Sequence, residues 1–366
     1  MSASAKILAV NPGGTSTKVA IFDGDIQSFS WNLRHEPQEL NQFAGIYEQL
    51  GWRVQTVRQL LDSNSISLTG FHAVVGRGAP LVPVPSGTFR VDDVMLTEIK
   101  EGRVSVQHAS MLGAPMAAAL ANESMAPAFI VDPVSVDEML PEAKLTGCVD
   151  IPRVALAHTL NLKAASRVAA KQIGRLMNEL NLIVAHLGSG FTIAAEKRGR
   201  QIDHNDPTAT GPMAPTRAGT LPSLGIARYC FQTPNIDYDK VQKMLVCRGG
   251  WNDHTGTDDI REIYKMIDRG DPKARLVIDA TLHQLNREIG GLFAVLNGDV
   301  DALVLTGGVS CSERFVEELK QRLKWLGAPV LLVPGEREMI ALADGARGVL
   351  DGEITPLNLA DYLPSE

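Results

Sequence analysis

The 366-residue chain reads as an α/β protein built from two related lobes, and three features predict that class. Residues 6–22 (KILAVNPGGTSTKVAIF) and 182–195 (LIVAHLGSGFTIAA) share one plan: an apolar run, a Gly/Ser/Thr turn, then a run rich in β-branched residues. Gly13 and Gly188 are 175 residues apart, about half the chain, so each half opens with the same device. Short apolar runs ended by Gly, Pro or Asp alternate with helical patterns, the signature of a sheet covered on both faces. At this length one hydrophobic core usually stops growing, and two domains are expected.

The expected strands are Ile7–Val10, Lys18–Phe22, Ala73–Val75 and Ala128–Val131 in the first half. Leu182–Ala185, Phe191–Ala195, Ala302–Leu305 and Val330–Val333 follow in the second. One helix is predicted over Val154–Leu180, where Leu156, Leu160, Val168, Leu176 and Leu180 fall largely at helical spacing and Pro152 stands near its start. A second runs through Leu276–Leu296, interrupted at Gly290-Gly291 by a bend or by another backbone passing close. Gly147–Pro152 is the best boundary candidate, and the tail after Asp351 reads as a surface appendage.

Apolar residues make up 45% and charged residues 21%, as in an ordinary globular enzyme, and the net charge is −7. That balance argues against nucleic acid as a partner, which demands a basic footprint, but not against a nucleotide. The longest apolar stretch, Met111–Ala121, contains Pro115 and is too short to span a membrane. Cys148, Cys230, Cys247 and Cys311 are scattered, without the spacing of a zinc site or a disulfide framework. They are expected to be reduced, buried small side chains of a cytoplasmic protein.

The chemistry lies in the turns. In Asn11-Pro12-Gly13-Gly14-Thr15-Ser16-Thr17-Lys18 the glycines admit an anion to the backbone, the hydroxyls donate and Lys18 adds charge; it is not a Walker A sequence. His186-Leu187-Gly188-Ser189-Gly190 repeats the device. Either turn alone reads equally as a plain hairpin; at corresponding places, together, they point to phosphate. A third turn, Thr306-Gly307-Gly308, follows a strand and leaves room for the flat face of a nucleoside, or simply joins strand to helix. Arg77, between Gly76 and Gly78, and Arg217, in a Pro/Thr-rich loop, have small neighbours and can clamp a carboxylate or phosphoryl group, unless they are solvated loop arginines. His108 and His186 are candidate donors to phosphoryl oxygens, or satisfied core histidines. Asp132, Glu336 and Glu338 are candidate carboxylates for a hard cation such as Mg²⁺; Asp258 and Asp259 serve equally as helix caps.

Ten ordered signatures, VNPGGTSTK, VVGRG, PSGTFRV, HASMLGAP, VDPVSVDEM, HLGSG, TRAGTLP, GTDDIRE, LTGGVS and GEREM, make the chain resemble the butyrate kinases of the acetate kinase family. That family lies within the acetate and sugar kinase, heat-shock chaperone and actin superfamily, and the resemblance runs from Ile7 to about Leu350. It implies duplicated ribonuclease-H-like domains with a nucleotide cleft between two lobes: residues 1–150 with about 340–366, and residues 151–339. It further implies ATP/ADP and Mg²⁺ as cofactors and a homodimer.

By the same resemblance, Asn11, Thr15, Thr17 and Lys18 lie in the first phosphate motif, Gly188, Ser189 and Gly190 in the second, and Gly307 and Gly308 in the adenosine motif bordered by Asp259. Arg77 would bind the carboxylate, with Arg217, His108 and His186 around the transferring phosphoryl group, Asp132 as the catalytic acidic residue that orients Mg²⁺ or the attacking group, and Asn11 and Glu338 at the metal. Acetate kinases carry their arginine before the Val74-Val75 pair, where this chain has Ala73, so Arg77 would reach the same point from a shifted backbone position. Ala185 stands where those enzymes have an aromatic acyl-pocket residue; with Val75 and Gln107 it is expected to line a roomier pocket. The expected reaction is reversible phosphorylation of butyrate or a short homologue by ATP. An acetate/propionate-type kinase is the alternative, with a sugar kinase or an actin-like or chaperone-like ATPase further off.

Overall fold

The computed structural model describes residues 5–104 and 108–364, and the chain divides into two compact units. The first comprises Met1–Asp137 and Arg337–Glu366, the second Glu138–Glu336. Residues 138–150, expected on the first lobe, therefore fold with the second, and the return to the first begins at 337.

The first unit holds a six-stranded sheet in the order β3-β2-β1-β4-β6-β5. Its strands are β1 (Lys6–Pro12), β2 (Ser16–Asp23), β3 (Ile26–Arg34), β4 (Ala73–Arg77), β5 (Thr88–Arg90) and β6 (Ala128–Val131). β1, β2 and β3 form an antiparallel meander, β4 and β6 run parallel to β1, and β5 closes the edge antiparallel to β6. The second unit holds β7 (Asn181–Leu187), β8 (Phe191–Lys197), β9 (Arg200–His204), β10 (Ala302–Gly307) and β11 (Val330–Pro334), in the order β11-β10-β7-β8-β9. Again three antiparallel strands come first and two parallel ones follow. The two sheets thus share one five-strand topology, with β5 added to the first, as the repeated sequence device predicts.

Alternation sets which side chains each strand sends to which layer. In β1, Leu8 and Val10 join the core made with helices Leu50–Ser63 and Gly113–Ser124. Ala9 and Asn11 take the other face, covered by the Glu338–Leu350 helix, which packs on β1, β4 and β6. In β7, Ile183, Ala185 and Leu187 pack against the long Pro272–Val295 helix, while Leu182 and Val184 meet the Thr159–Ile173 helix. His186 follows on that second face. Asn11 and His186 are again 175 residues apart, so the two strand ends present corresponding positions beneath corresponding helices.

Several expectations are corrected. The first predicted helix begins at Thr159 and ends at Ile173, where Gly174 caps it at φ 79°, so Pro152 lies outside it. The second runs through Gly290-Gly291 without a break; the nearest atoms to a Cβ at Gly290 belong to the Trp325 side chain, not to a backbone. The tail is not an appendage: Leu357 exchanges backbone hydrogen bonds with Thr88 and Arg90 of β5, Leu359 is fully buried and Tyr362 meets Phe89 edge-on. The cysteines are not core residues: Cys148, Cys247 and Cys311 are exposed and Cys230 half-buried, all as free thiols. Among the described residues no helix is long and apolar enough to cross a membrane.

Candidate active site

In the first unit the candidate residues converge at the ends of β1 and β4. The Glu338 carboxylate, in the first turn of its helix, is favoured there by the helix dipole. It accepts from Asn11 Nδ2 at 2.7 Å through Oε2 and from Arg77 Nη1 at 2.5 Å through Oε1. Glycine makes this close packing possible. A Cβ at Gly345 would lie 2.5 Å from Val131 Cγ2, so the helix seats tightly on β6. At Gly76 a Cβ would overlap the Gly113 carbonyl, so the Gly113–Ser124 helix approaches β4 just before Arg77. Asn11 and Glu338 carry hard oxygens, the ligand type Mg²⁺ takes, but the Asn11 atom that meets Glu338 is its amide nitrogen and both Glu338 oxygens already accept; no cluster of three His, Cys, Asp or Glu exists among the described residues. A cation there would replace the Asn11 or Arg77 contact to Glu338 and draw its remaining ligands from water and phosphate.

The turn that follows β1 is held by Gly13 N–H donating to the Ser16 carbonyl at 2.7 Å. Gly14 and Thr15 face solvent, and Lys18 is half-buried on β2 opposite Asn11. Thr17 departs from expectation. It is buried, and its hydroxyl meets His35 Nε2 at 2.8 Å and accepts from Arg53 Nη1 at 3.0 Å. It braces the turn from behind and presents no donor to a ligand.

Asp132, just past β6, is 2% exposed and holds φ at +39°. A non-glycine residue in the left-handed region costs about 1–3 kcal/mol, a strain that persists where the surroundings dictate it. Here Gly87 N–H donates to its Oδ1 at 2.9 Å. His108 caps the short turn Ala109–Leu112, with Ser110 N–H donating to Nδ1 at 3.1 Å, and its ring is exposed. Val75 is fully buried on β4 and exposes no wall to a ligand. Gln107 lies outside the described residues.

In the second unit His186, the penultimate residue of β7, is 2% exposed. A hydrogen-bond chain fixes its tautomer. The Thr306 hydroxyl donates to the Gly335 carbonyl, so its oxygen accepts from Asn161 Nδ2 at 3.2 Å. The same amide nitrogen lies 2.8 Å from His186 Nδ1, which must then accept. The ring proton of neutral His186 is left on Nε2, and Gly188 clears the space there: a Cβ would stand 2.6 Å from that nitrogen. Asn161 does for β7 and β10 what Glu338 does for β1 and β4, tying two neighbouring strand ends from the covering helix.

The His158 ring stacks on His186 with centroids 4.2 Å apart, and its Nδ1 lies 2.7 Å from Thr192 Oγ1. Sequence reading missed His158 and Asn161. The signal lies in the AHTLN run at residues 157–161, hidden because the predicted helix Val154–Leu180 runs straight through it.

Gly190 plays for Arg217 the part that Gly188 plays for His186. A Cβ there would sit 2.5 Å from Arg217 Nε. The Arg217 loop is tied down by Thr216 N–H donating to the Ser189 carbonyl at 3.2 Å and Ala214 N–H donating to the Arg217 carbonyl at 3.0 Å. Arg217 Nε is buried with no hydrogen-bond partner, and burial lowers the guanidinium pKa from its usual value while Asp206 and Cys247 oppose that shift. A polar cation held in this state is poised for an anion.

A cavity of about 540 Å³ opens beside these groups, walled by Gly188, Ser189, Asp259, Gly308 and Ser312. That volume suits a nucleoside with phosphates attached. The turns at residues 186–190 and 306–308 and Asp259 therefore meet in one wall, all from this unit. Gly307 has φ 88°, and a Cβ there would lie 2.5 Å from the Leu187 carbonyl oxygen, so glycine is required for β10 to turn away beside β7. Asp259 caps the Ile260–Asp268 helix, and its hydrogen bonds to Arg261 hold the carboxyl down at about 2. Ala185 is corrected: it is fully buried in the cluster under the Pro272–Val295 helix, on the face of β7 opposite His186, and forms no pocket wall.

Comparison with known proteins gives the family and the fold. The chain matches the sequence profile of the acetokinase family over residues 153–353, more than half its length. In fold it is similar to the acetate kinase of Porphyromonas gingivalis, with a TM-score of 0.77, 17% identity, and 94% of this chain and 100% of that one covered. A propionate kinase from Francisella tularensis gives 0.74 at 19% identity over 92% and 98% of the two chains. The acetate kinase of Entamoeba histolytica gives 0.73 at 17% identity over 94% and 99%. The structural matches carry the duplicated α/β fold and the profile carries the kinship: this chain belongs to the acetokinase family of carboxylate kinases.

Proposed function

We propose that this chain transfers the γ-phosphoryl group of ATP to a short-chain carboxylate, butyrate or a near homologue, giving ADP and the acyl phosphate reversibly. The observation that carries this reading is the partnerless Nε of Arg217, lodged against Gly190 in the second turn. A carboxylate oxygen is already a nucleophile near neutral pH. It forms the new bond to the γ-phosphorus as the bond to the bridging oxygen of ADP breaks, and no proton moves. Catalysis is then alignment and charge stabilisation.

Arg77, steadied by Glu338, binds the carboxylate. Arg217 and the Nε2–H of His186 face the phosphoryl oxygens, with His158 stacked behind, and His108 adds a donor. Asp132 orients the attacking group. The 11–18 turn holds phosphate through its backbone, Thr15 and Lys18, and the cavity beside Gly308 and Asp259 takes the nucleoside. Asn11 and Glu338 would hold Mg²⁺, which when bound neutralises charge on the phosphate oxygens. A homodimer in the cytoplasm completes the reading.

The preference for butyrate rests on the ordered signatures, since Ala185 and Val75 are core residues; an acetate/propionate-type kinase is the alternative. A hydroxylamine trap applied to straight-chain acids from two to six carbons tests both. The expected result is ATP-dependent hydroxamate with a maximum at four carbons. A maximum at two or three reassigns the substrate. A sugar phosphate without hydroxamate would move the chain to the sugar-kinase reading.

A further inference from the structure

Beneath the first phosphate turn lies a buried charge without an opposite number. Arg53, on the inner face of the Leu50–Ser63 helix, is fully buried. Its guanidinium donates to the Gly14 carbonyl at 3.3 Å, the Ser16 carbonyl at 3.2 Å and Thr17 Oγ1 at 3.0 Å. Nε and Nη2 both reach Gln49 Oε1, at 3.0 and 2.9 Å. All four partners are neutral, and among the described residues no carboxylate pairs with it. An arginine buried without a counter-ion is unfavourable, which is why such groups are nearly always paired. Burial pulls its pKa down to about 10, still far above neutrality, so the charge stays. The neighbouring His35 is held to about 4 by burial and by Arg53 itself and adds no second charge.

Two features make this more than a structural tie. The guanidinium grips two carbonyls of the turn, Gly14 and Ser16, the second shared with the Gly13 N–H, so the turn is fixed from its carbonyl side. Gln49 stands where a glutamate, of the same shape, would have supplied the missing counter-ion.

We propose that Arg53 is a built-in countercharge for the nucleotide's phosphates, acting through the turn it braces, and that Gln49 keeps this charge unneutralised. Its binding partner is a polyphosphate chain, and it is a positioning residue, not one that touches the reacting atoms. The inference rests on the reading of residues 11–18 as a phosphate turn.

Replacing Gln49 by Glu separates the two roles, because it preserves the hydrogen bonds and cancels the charge. Calorimetric titration of the full chain with ATP, inorganic tripolyphosphate and adenosine is compared with thermal unfolding of the ligand-free protein. The expected result for Gln49→Glu is an unchanged or raised Tm, about tenfold weaker binding of ATP and tripolyphosphate, and unchanged binding of adenosine. Arg53→Lys should keep tripolyphosphate affinity within about threefold, and Arg53→Gln should lose about tenfold, equivalent to about 1.4 kcal/mol. A Gln49→Glu protein of raised Tm that binds tripolyphosphate as the wild type does would overturn the proposal and leave Arg53 as a brace alone. Should that variant not fold, equal tripolyphosphate affinity in Arg53→Gln and Arg53→Lys overturns it as well. A wild type that binds adenosine but no polyphosphate removes the phosphate-turn reading itself, a distinguishable result.

Discussion

Arg217 owes its position to an absent methyl group. Gly190 leaves its side chain room to lie across the second turn, and the loop behind it is anchored to Ser189 and Trp251 by backbone hydrogen bonds. Losing one donor aimed at transition-state charge usually lowers turnover by roughly 10²–10³-fold. Steady-state kinetics of Arg217→Ala should show that loss in kcat with a smaller change in KM. Unchanged turnover would take Arg217 out of the chemistry.

His35 provides a pH test at the same scale. Its folded pKa, about 4, lies below the ordinary 6.5, so the unfolded chain takes up the proton first as pH falls. The stability that neutral His35 contributes is present above pH 6.5 and drains away as pH drops from there through about 4. Urea unfolding between pH 7 and pH 4 should show declining stability, with a shallower slope in His35→Gln. Identical slopes would mean that His35 titrates normally.

Among the elements, what the sequence made legible was whatever carried an apolar run or a glycine turn. Eight strands are visible because they are continuous apolar runs, sharply ended, and all but β11 are buried. β3 was invisible: its sequence, IQSFSWNLR, is mostly exposed at a sheet edge and carries no apolar run. β5 and β9 are three and five residues long, too short for a periodicity. The same limit hid half of the site. Arg77, Arg217, His186 and the glycine turns stood out by their local chemistry. Asn161, His158 and Arg53 act through partners 25 to 145 residues away or across a turn, and nothing in their immediate sequence marks them. Thr17 shows the opposite error, since a threonine in a phosphate-like turn looks the same from sequence whether its hydroxyl faces outward or inward.

At the scale of the molecule, one five-strand plan occurs twice, and each copy ends its first strand in a polar residue tied to a covering helix. In the first unit that residue is Asn11, bound to Glu338 beside Arg77; in the second it is His186, bound to Asn161 beside Thr306. Duplication explains why the pattern repeats, and the tied residues have diverged between the copies, Asn11 and Glu338 in one and His186 and Asn161 in the other. The central claim is that a carboxylate oxygen of the substrate forms the new bond to the phosphorus taken from ATP. Butyrate labelled with ¹⁸O in both carboxyl oxygens, incubated with ATP and the enzyme and then cleaved with hydroxylamine, tests this most directly. The account predicts that the phosphate released on cleavage carries one labelled oxygen, the former bridge; unlabelled phosphate alone would contradict it.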